Sequence, residues 1–337
     1  MKHDLRFRVL VADAEYAPTL SDVAEKFSEL DIVIADSSRD LMGIVGPGIQ
    51  GIIAQETLID NVLLEALPDL AVVMKLGRSF HNIDVAAVRK RQLVFASSPR
   101  KGPNCVAELA ITLILSLSKD LLNSHRAVER GSFRLRGLRP QRTEQSKMAF
   151  HWMRNQMVHE VRGKRLGIVG MGEIGCELAL RAHALGMEIV YYKRSSLSPE
   201  LEKLFTAELR DLPTLLRESD FVVLAVPHTK DTSCMIGFEQ LALMKPDAYL
   251  VNICRGGVVD ENALVHALLE GRIAGAGLDV FTFEPLQFDS PLCGMHNVIL
   301  TPHIGGGTGS NRVLELSESL AEMQSILLGG APKVSVD

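Results

Sequence analysis

Three side chains suited to acid–base and anion chemistry follow apolar runs in the second half of the chain. Arg255 comes after Tyr249–Asn252, Glu284 after Gly275–Asp279, and His303 after Val298–Leu300. Ligands of open α/β sheets bind outside the carboxyl ends of strands, so three strands would bring an arginine, a carboxylate and a histidine to one edge. Upstream, Arg165–Gly175 reads Arg-Leu-Gly-Ile-Val-Gly-Met-Gly-Glu-Ile-Gly, a short apolar run leading into glycine-spaced residues. Gly170 suits a sharp turn, Gly172 removes a side chain that would block phosphates, and Gly175 lets a following helix pack closely. The helix N-terminus then offers amides to a pyrophosphate.

Each residue alone has an ordinary explanation: Arg255 at a helix start, Glu284 in a solvated turn, His303 in a loop. Together, beside a dinucleotide turn, they form the set that carbonyl reduction requires. Hydride arriving at C2 of a 2-oxo acid leaves charge on oxygen. An acid must then protonate that oxygen, and a cation must hold the neighbouring carboxylate.

The elements that would position these residues form two series. In the first, strand-type runs at Arg8–Val11, Asp31–Ala35, Gly51–Ala54, Leu70–Leu76 and Leu93–Ala96 alternate with helical patterns at Pro18–Leu30, Asp60–Leu67 and Asp84–Arg91. A parallel sheet of about five strands is therefore complete before residue 100. The second series holds the glycine motif: Leu166–Val169, Ile189–Tyr192, Phe221–Ala225, Tyr249–Asn252, Gly275–Asp279 and Val298–Leu300, six strands of a dinucleotide-binding sheet. Between the series lie an apolar helix, Val106–Leu122, and a basic excursion, Asn123–Gly163, containing the sole tryptophan, Trp152. That excursion is either a solvated loop or an arm over a partner subunit or the active site. The amphipathic segment Ser310–Leu328 is expected to return to the first series. The predicted fold is α/β with two doubly wound, Rossmann-like domains. A cofactor domain (105–302) is inserted into a substrate domain built from both termini (1–104 and 303–337).

Composition narrows the function classes. At 337 residues, with 47% hydrophobic and 23% charged content, the chain can build two globular cores. Its formal net charge of −5 offers no reason to expect nucleic acid. Cysteines 105, 176, 234, 254 and 293 show no close metal-ligand spacing, and an odd count suits reduced thiols, so neither a metal nor a disulfide framework is expected. Met1–Asp13 lacks the long apolar region of a signal peptide, and Leu109–Leu117 is too short to span a bilayer. No membrane association is expected, and the cytoplasm is the expected location.

With these residues in view, the chain resembles the D-isomer-specific 2-hydroxyacid dehydrogenases. The resemblance rests on Gly170–Gly175, Met244–Asp260, Gly271–Val280 with Glu284-Pro285-Leu286, and Asn297–Gly305. Weaker matches at Gly77 through Asn82-Ile83-Asp84 and at Val106–Leu109 extend it through the first half. The resemblance implies that Arg255 binds the substrate carboxylate, that His303 is the acid/base, and that Glu284 pairs with it. It places Asp279 toward the nicotinamide and implies further cofactor contacts at Gly170, Gly172, Glu173, Ile174, Gly175, Pro227, Thr232, Ile253 and Gly305. It assigns substrate contacts to Gly77, Arg78 and Ser79, where the family's Gly-x-Gly is Gly-Arg-Ser and adds a cation. A homodimer is also implied. Cys254, beside Arg255, is expected to be a small buried residue.

The cofactor is read from the end of the second strand of the glycine unit. An NAD-type unit places an Asp or Glu there for the adenosine ribose. This chain has Lys193-Arg194-Ser195-Ser196, with no carboxylate until Glu200, so a ribose 2′-phosphate would be met by cations and hydroxyls. The expectation is an NADPH-preferring reductase of a small 2-oxo acid, of glyoxylate or hydroxypyruvate type, giving the D-2-hydroxy acid; NAD remains a possible cofactor. Two alternatives stand beside it. One is NAD-linked oxidation of a 2-hydroxy acid such as phosphoglycerate, and the other is a cofactor-sensing, corepressor-like binding protein. A formate dehydrogenase is disfavoured by Glu284, where that branch has an amide.

Overall fold

The computed structural model describes residues 6–35, 41–77, 80, 82–98, 100–144, 152–306 and 309–333. The chain divides into two compact units, 1–102 with 307–337, and 103–306.

The first unit is built on β1 (Phe7–Val11), β2 (Leu30–Ile34), β3 (Ile49–Ala54), β4 (Val72–Leu76) and β5 (Val94–Ser98). They form a parallel sheet of order β2-β1-β3-β4-β5. The inner strands are short, largely apolar runs buried on both faces, the pattern of parallel sheets covered by helices, while the edge strand β2 is only partly buried. Two covering helices, Asn61–Glu65 and Val85–Lys90, start at aspartate caps: Asp60 accepts from Leu63 N–H and Asp84 from Ala87 N–H, each at 2.9 Å. The C-terminal helix Gly309–Leu327 completes this unit by burying Leu316, Leu320 and Met323 against Val9, Ile53 and Met74. Gly51 leaves room for it, since a β-carbon there would lie 2.6 Å from Met323 Sδ. The pattern expected over Pro18–Leu30 is shorter than a full helix. A 3₁₀ turn at Ala14–Thr19, containing Pro18, precedes the α-helix Leu20–Ala24.

The second unit contains β6 (Arg165–Val169), β7 (Glu188–Tyr192), β8 (Ala207–Leu209), β9 (Phe221–Leu224), β10 (Tyr249–Asn252), β11 (Gly275–Leu278) and β12 (Val298–Leu300). All pair in parallel, in the order β12-β11-β10-β9-β6-β7-β8. The sheet thus has seven strands, not six. The extra one, β8, is a three-residue edge strand with Glu208 and Leu209 exposed, too short to show an apolar period. Side chains alternate across the sheet: Phe221, Val223 and Val251 enter one core with Leu113 and Leu178, while Val222, Leu224 and Leu250 enter the other with Leu215, Leu241 and Leu264. Because β7 and β9 flank β6 on opposite sides, chain direction across the sheet reverses at β6. A crevice outside its carboxyl end is the binding position of such sheets.

Two expectations are corrected between the sheets. The helix expected over Val106–Leu122 runs instead over Gly102–Ser118 and stops before Asp120, which adopts a left-handed conformation (φ 44°). Asp120 holds this conformation through its carboxylate, which accepts from Asn123 and Asn155 amides at 2.6 Å each, and a second helix, Leu121–Glu129, follows. The excursion continues as a 3₁₀ turn, Ser132–Arg136, with Trp152 edge-on to Phe133 at a centroid distance of 5.5 Å. The return to the first unit falls after Gly306 rather than at His303. His303 N–H bonds the Asp279 carbonyl, and the Ile304 and Gly305 amides bond the Asp279 carboxylate, which ties this segment to β11.

Candidate active site at the carboxyl edge of the second sheet

The glycine turn follows β6. Gly170 has φ +105°, and a β-carbon on it would lie 2.5 Å from the Ala225 carbonyl oxygen, so only glycine fits. Its amide donates to the Tyr192 carbonyl at 2.9 Å, joining the turn to the end of β7. A β-carbon on Gly175 would lie 2.4 Å from the Gly170 carbonyl oxygen, which explains a glycine where helix Glu173–Ala184 crosses the turn. Gly172 differs, because nothing lies within 4 Å of its would-be β-carbon. It is also the helix N-cap and supplies no capping side chain. Open space in front of an uncapped helix N-terminus fits a dinucleotide pyrophosphate.

Two strands further along the edge, β10 ends in Asn252, buried although polar. Its Oδ1 accepts from the Cys254 amide at 3.2 Å and from the Cys254 thiol at 3.1 Å, while Nδ2 donates to the Arg255 carbonyl at 3.0 Å. Asn252 therefore shapes the backbone that presents Arg255, whose exposed guanidinium donates back to the Cys254 carbonyl at 2.6 Å. Cys254 is the small buried residue expected, and burial pushes its thiol up to about 11, so it is no thiolate near neutrality. A β-carbon on Gly256 would lie 1.9 Å from the Phe281 carbonyl carbon, which shows how tightly the loops after β10 and β11 abut.

The loop after β11 carries Glu284, and the loop after β12 carries His303. Their side chains meet, with Nδ1 of His303 2.6 Å from one Glu284 oxygen, while the other accepts from the Phe281 amide at 3.1 Å. Burial raises the Glu284 pKa, but the bonds from His303 and Phe281 and the positive charges of His303 and Arg255 outweigh it, and the net shift is downward. An ionised carboxylate only accepts, so Nδ1 carries the hydrogen of this contact. Nε2 has no partner among the described residues.

Asp279, which the resemblance places toward the nicotinamide, is tied down within the chain. It is 1% exposed, and its carboxylate accepts from the Thr301 hydroxyl at 2.6 Å and from the Ile304 and Gly305 amides at 2.9 Å each. It holds the loop in which His303 adopts a left-handed conformation, φ +53°. The remaining expected contacts are distributed along the same edge. The Thr232 hydroxyl closes its own turn on the Pro227 carbonyl at 2.6 Å, Ile253 is buried in the core, and Glu173 and Ile174 open the helix after the glycines. Lys193, Arg194 and Ser195 are exposed, and neither cation is paired with a carboxylate among the described residues. In the first unit, Gly77 turns at φ +94° after β4; Arg78 and Ser79 lie outside the described residues.

Asn252, Gly256 and the holding role of Asp279 were not apparent from sequence. The available signals were a polar residue ending an apolar strand and a Gly-Gly pair after Arg255. Among the described residues, no group of three or more His, Cys, Asp or Glu could hold a metal ion, and no helix is long and apolar enough to cross a membrane.

A parallel sheet with its glycine turn at the reversal of strand order, and a histidine–carboxylate pair on the same edge, is the arrangement of a dinucleotide-binding oxidoreductase. The comparisons narrow this. The family profile for the D-isomer specific 2-hydroxyacid dehydrogenase, NAD binding domain, matches residues 111–305. The chain is 43% identical over 267 residues to a glyoxylate reductase of Thermococcus kodakarensis, covering 79% of this chain and 74% of that one. It is 39% identical over 264 residues to glyoxylate/hydroxypyruvate reductase B of Shigella boydii, covering 78% and 76%. Among solved structures, apo D-mandelate dehydrogenase of Rhodotorula graminis superposes with a TM-score of 0.71 at 30% identity, covering 98% of each chain. The chain belongs to the D-isomer-specific 2-hydroxyacid dehydrogenase family and is an oxidoreductase of 2-hydroxy acids.

Proposed function

We propose that this protein is an NADPH-preferring reductase of a small 2-oxo acid, of glyoxylate or hydroxypyruvate type, giving the D-2-hydroxy acid. The observation that carries the reading is the His303–Glu284 pair: Nδ1 is held by a carboxylate and Nε2 is left for substrate. The names of the relatives from Thermococcus and Shigella support the substrate class.

Each residue has a role that its chemistry suits. The Arg255 fork takes the substrate carboxylate and the adjacent carbonyl oxygen, and its charge opposes the negative charge that develops there. His303 gives the Nε2 proton to that oxygen during reduction and takes it back during oxidation. Glu284, held below the ordinary carboxylate range, remains ionised and stabilises the imidazolium. The nicotinamide cofactor, when bound, supplies the hydride. Gly170, Gly172, Glu173, Ile174 and Gly175 hold its pyrophosphate, and Lys193, Arg194 and Ser195 meet a 2′-phosphate. Pro227, Thr232, Ile253 and Gly305 line the rest of the cofactor's path, and Gly77, Arg78 and Ser79 grip the substrate carboxylate. The substrate domain is the unit built from both termini. We place the protein in the cytoplasm as a homodimer, with the 123–163 arm against the partner subunit or over the active site. Support for the arm comes from helix Leu121–Glu129, which buries no residue and exposes Leu121 and Val128.

The test is turnover on glyoxylate, hydroxypyruvate, pyruvate and longer 2-oxo acids with NADPH and with NADH. Higher kcat/KM for one of the two smallest acids, and for NADPH, is expected. Equal kcat/KM for the two cofactors would remove the cofactor preference, and no turnover on any acid would remove the reductase reading.

A further inference from the structure

The end of β7 contains a side chain that the catalytic reading does not use. Tyr191 is fully buried, with its ring in the core beside Ile189, Leu197 and Phe205. Its hydroxyl accepts from the Leu197 amide at 2.8 Å and donates to a Glu202 oxygen at 2.7 Å, in helix Pro199–Phe205. Burial first, and then the bond to Glu202, holds the phenol above its ordinary range, so it remains a donor at working pH.

These two bonds determine what the basic loop can do. Lys193, Arg194, Ser195 and Ser196 are all exposed. At one end the loop is fixed where the Tyr192 carbonyl accepts from Gly170 N–H at 2.9 Å, so it starts from the pyrophosphate turn itself. At the other end it is fixed at Leu197, by the Tyr191 hydroxyl. Four exposed residues between two fixed points keep their charges beside the turn, while their side chains stay free to close on an anion. Releasing one end would leave the turn and its pyrophosphate contacts in place and let the cations drift.

We propose that Tyr191 is a specificity-determining positioning residue, whose hydroxyl anchors the 193–196 loop for the 2′-phosphate of NADPH. This rests on the NADPH reading above. Its consequence is selective, because NADH has no group for the loop to hold.

The test is binding, read from nicotinamide fluorescence during titration of the intact protein with NADPH and with NADH. Tyr191→Phe keeps the ring and removes only the hydroxyl. It should weaken NADPH by about tenfold, the scale of one hydrogen bond to a charged group, while the Kd for NADH moves less than twofold. Glu202→Ala removes one of the two bonds and should shift NADPH in the same direction by about threefold. It also carries the test if the Tyr191→Phe variant fails to fold. Parallel weakening of both cofactors, or no change in either, would overturn the assignment. Wild-type protein that binds the two cofactors equally would instead overturn the NADPH reading, and the assignment with it. Discrimination in the wild type that survives both substitutions removes Tyr191 alone.

Discussion

The two sheets share a strand direction and a covering of helices, yet they use their carboxyl edges differently. In the first unit the segments after β1 and β3 bond to each other. Asp13, 8% exposed, accepts from the amides of Gln55, Glu56 and Thr57 and from the Thr57 hydroxyl, while the Tyr16 hydroxyl donates to Gln55 at 2.7 Å and to Glu315 at 3.2 Å. In the second unit, buried groups such as Asp279 and Asn252 do comparable work beneath the surface. Above them, Arg255, Nε2 of His303 and the open space at Gly172 remain available. Polar groups at a strand edge are structural where their partners lie within the chain. They become a site where an inner layer is satisfied and an outer layer is not.

That contrast can be broken from either side. Arg255→Ala should lower kcat/KM by about 10²–10³-fold, because one partner of a desolvated charge pair is removed. The exposed position should leave stability within about 0.5 kcal/mol. Near wild-type turnover at subsaturating substrate would show that Arg255 does not bind the carboxylate. Asp13→Ala should do the opposite. It strands buried amides at a cost of about 3 kcal/mol, read from denaturant unfolding, with kcat little changed in the folded protein. A loss of activity at full stability would place the segment after β1 in the chemistry, alongside the Gly77–Ser79 contacts proposed for substrate.

Gly256→Ala sharpens the comparison, since its β-carbon would enter the Phe281 backbone. A cost of about 1–3 kcal/mol and a disturbed Glu284–His303 pair are expected, read as a lower melting temperature together with lower kcat. A stable, fully active variant would mean that the two loops can separate freely.

The pH profile tests the pair itself. The reduction rate should fall as pH rises and the imidazolium gives up its proton, and oxidation should fall as pH drops. Glu284 has its pKa depressed, so its ionised form, and the pairing with it, persists to pH below the ordinary carboxylate range and is lost only as pH falls through the lowered value. Glu284→Gln removes the charge that favours imidazolium, so the alkaline limb for reduction should move to lower pH. An unchanged limb would remove Glu284 from the role. The smallest expected effect is in the arm, where Trp152 is 41% exposed against Phe133. Under the proposed homodimer its fluorescence should change on dilution or on substrate binding, and a signal constant in both would favour a solvated loop.

Local chemistry made most of this architecture legible. Apolar runs between helical periods located eleven of the twelve strands among the described residues, because a buried parallel strand must be apolar along its length. Gly170 and Gly175 were readable because a left-handed turn and a close helix crossing each exclude a β-carbon. Arg255, Glu284 and His303 were placed on one edge by their positions after three strands. Other features depended on contacts between distant segments. β8 is defined by pairing with β7, the break at Asp120 is held by Asn155, and the first unit's core is closed by a helix from the other end of the chain. Asp279 shows the limit most clearly. Its position after β11 put it at the carboxyl edge, but nothing in the sequence showed that three donors from the loop after β12 converge on it. A buried charge is stable only where such donors meet it, and only the tertiary structure brings them there.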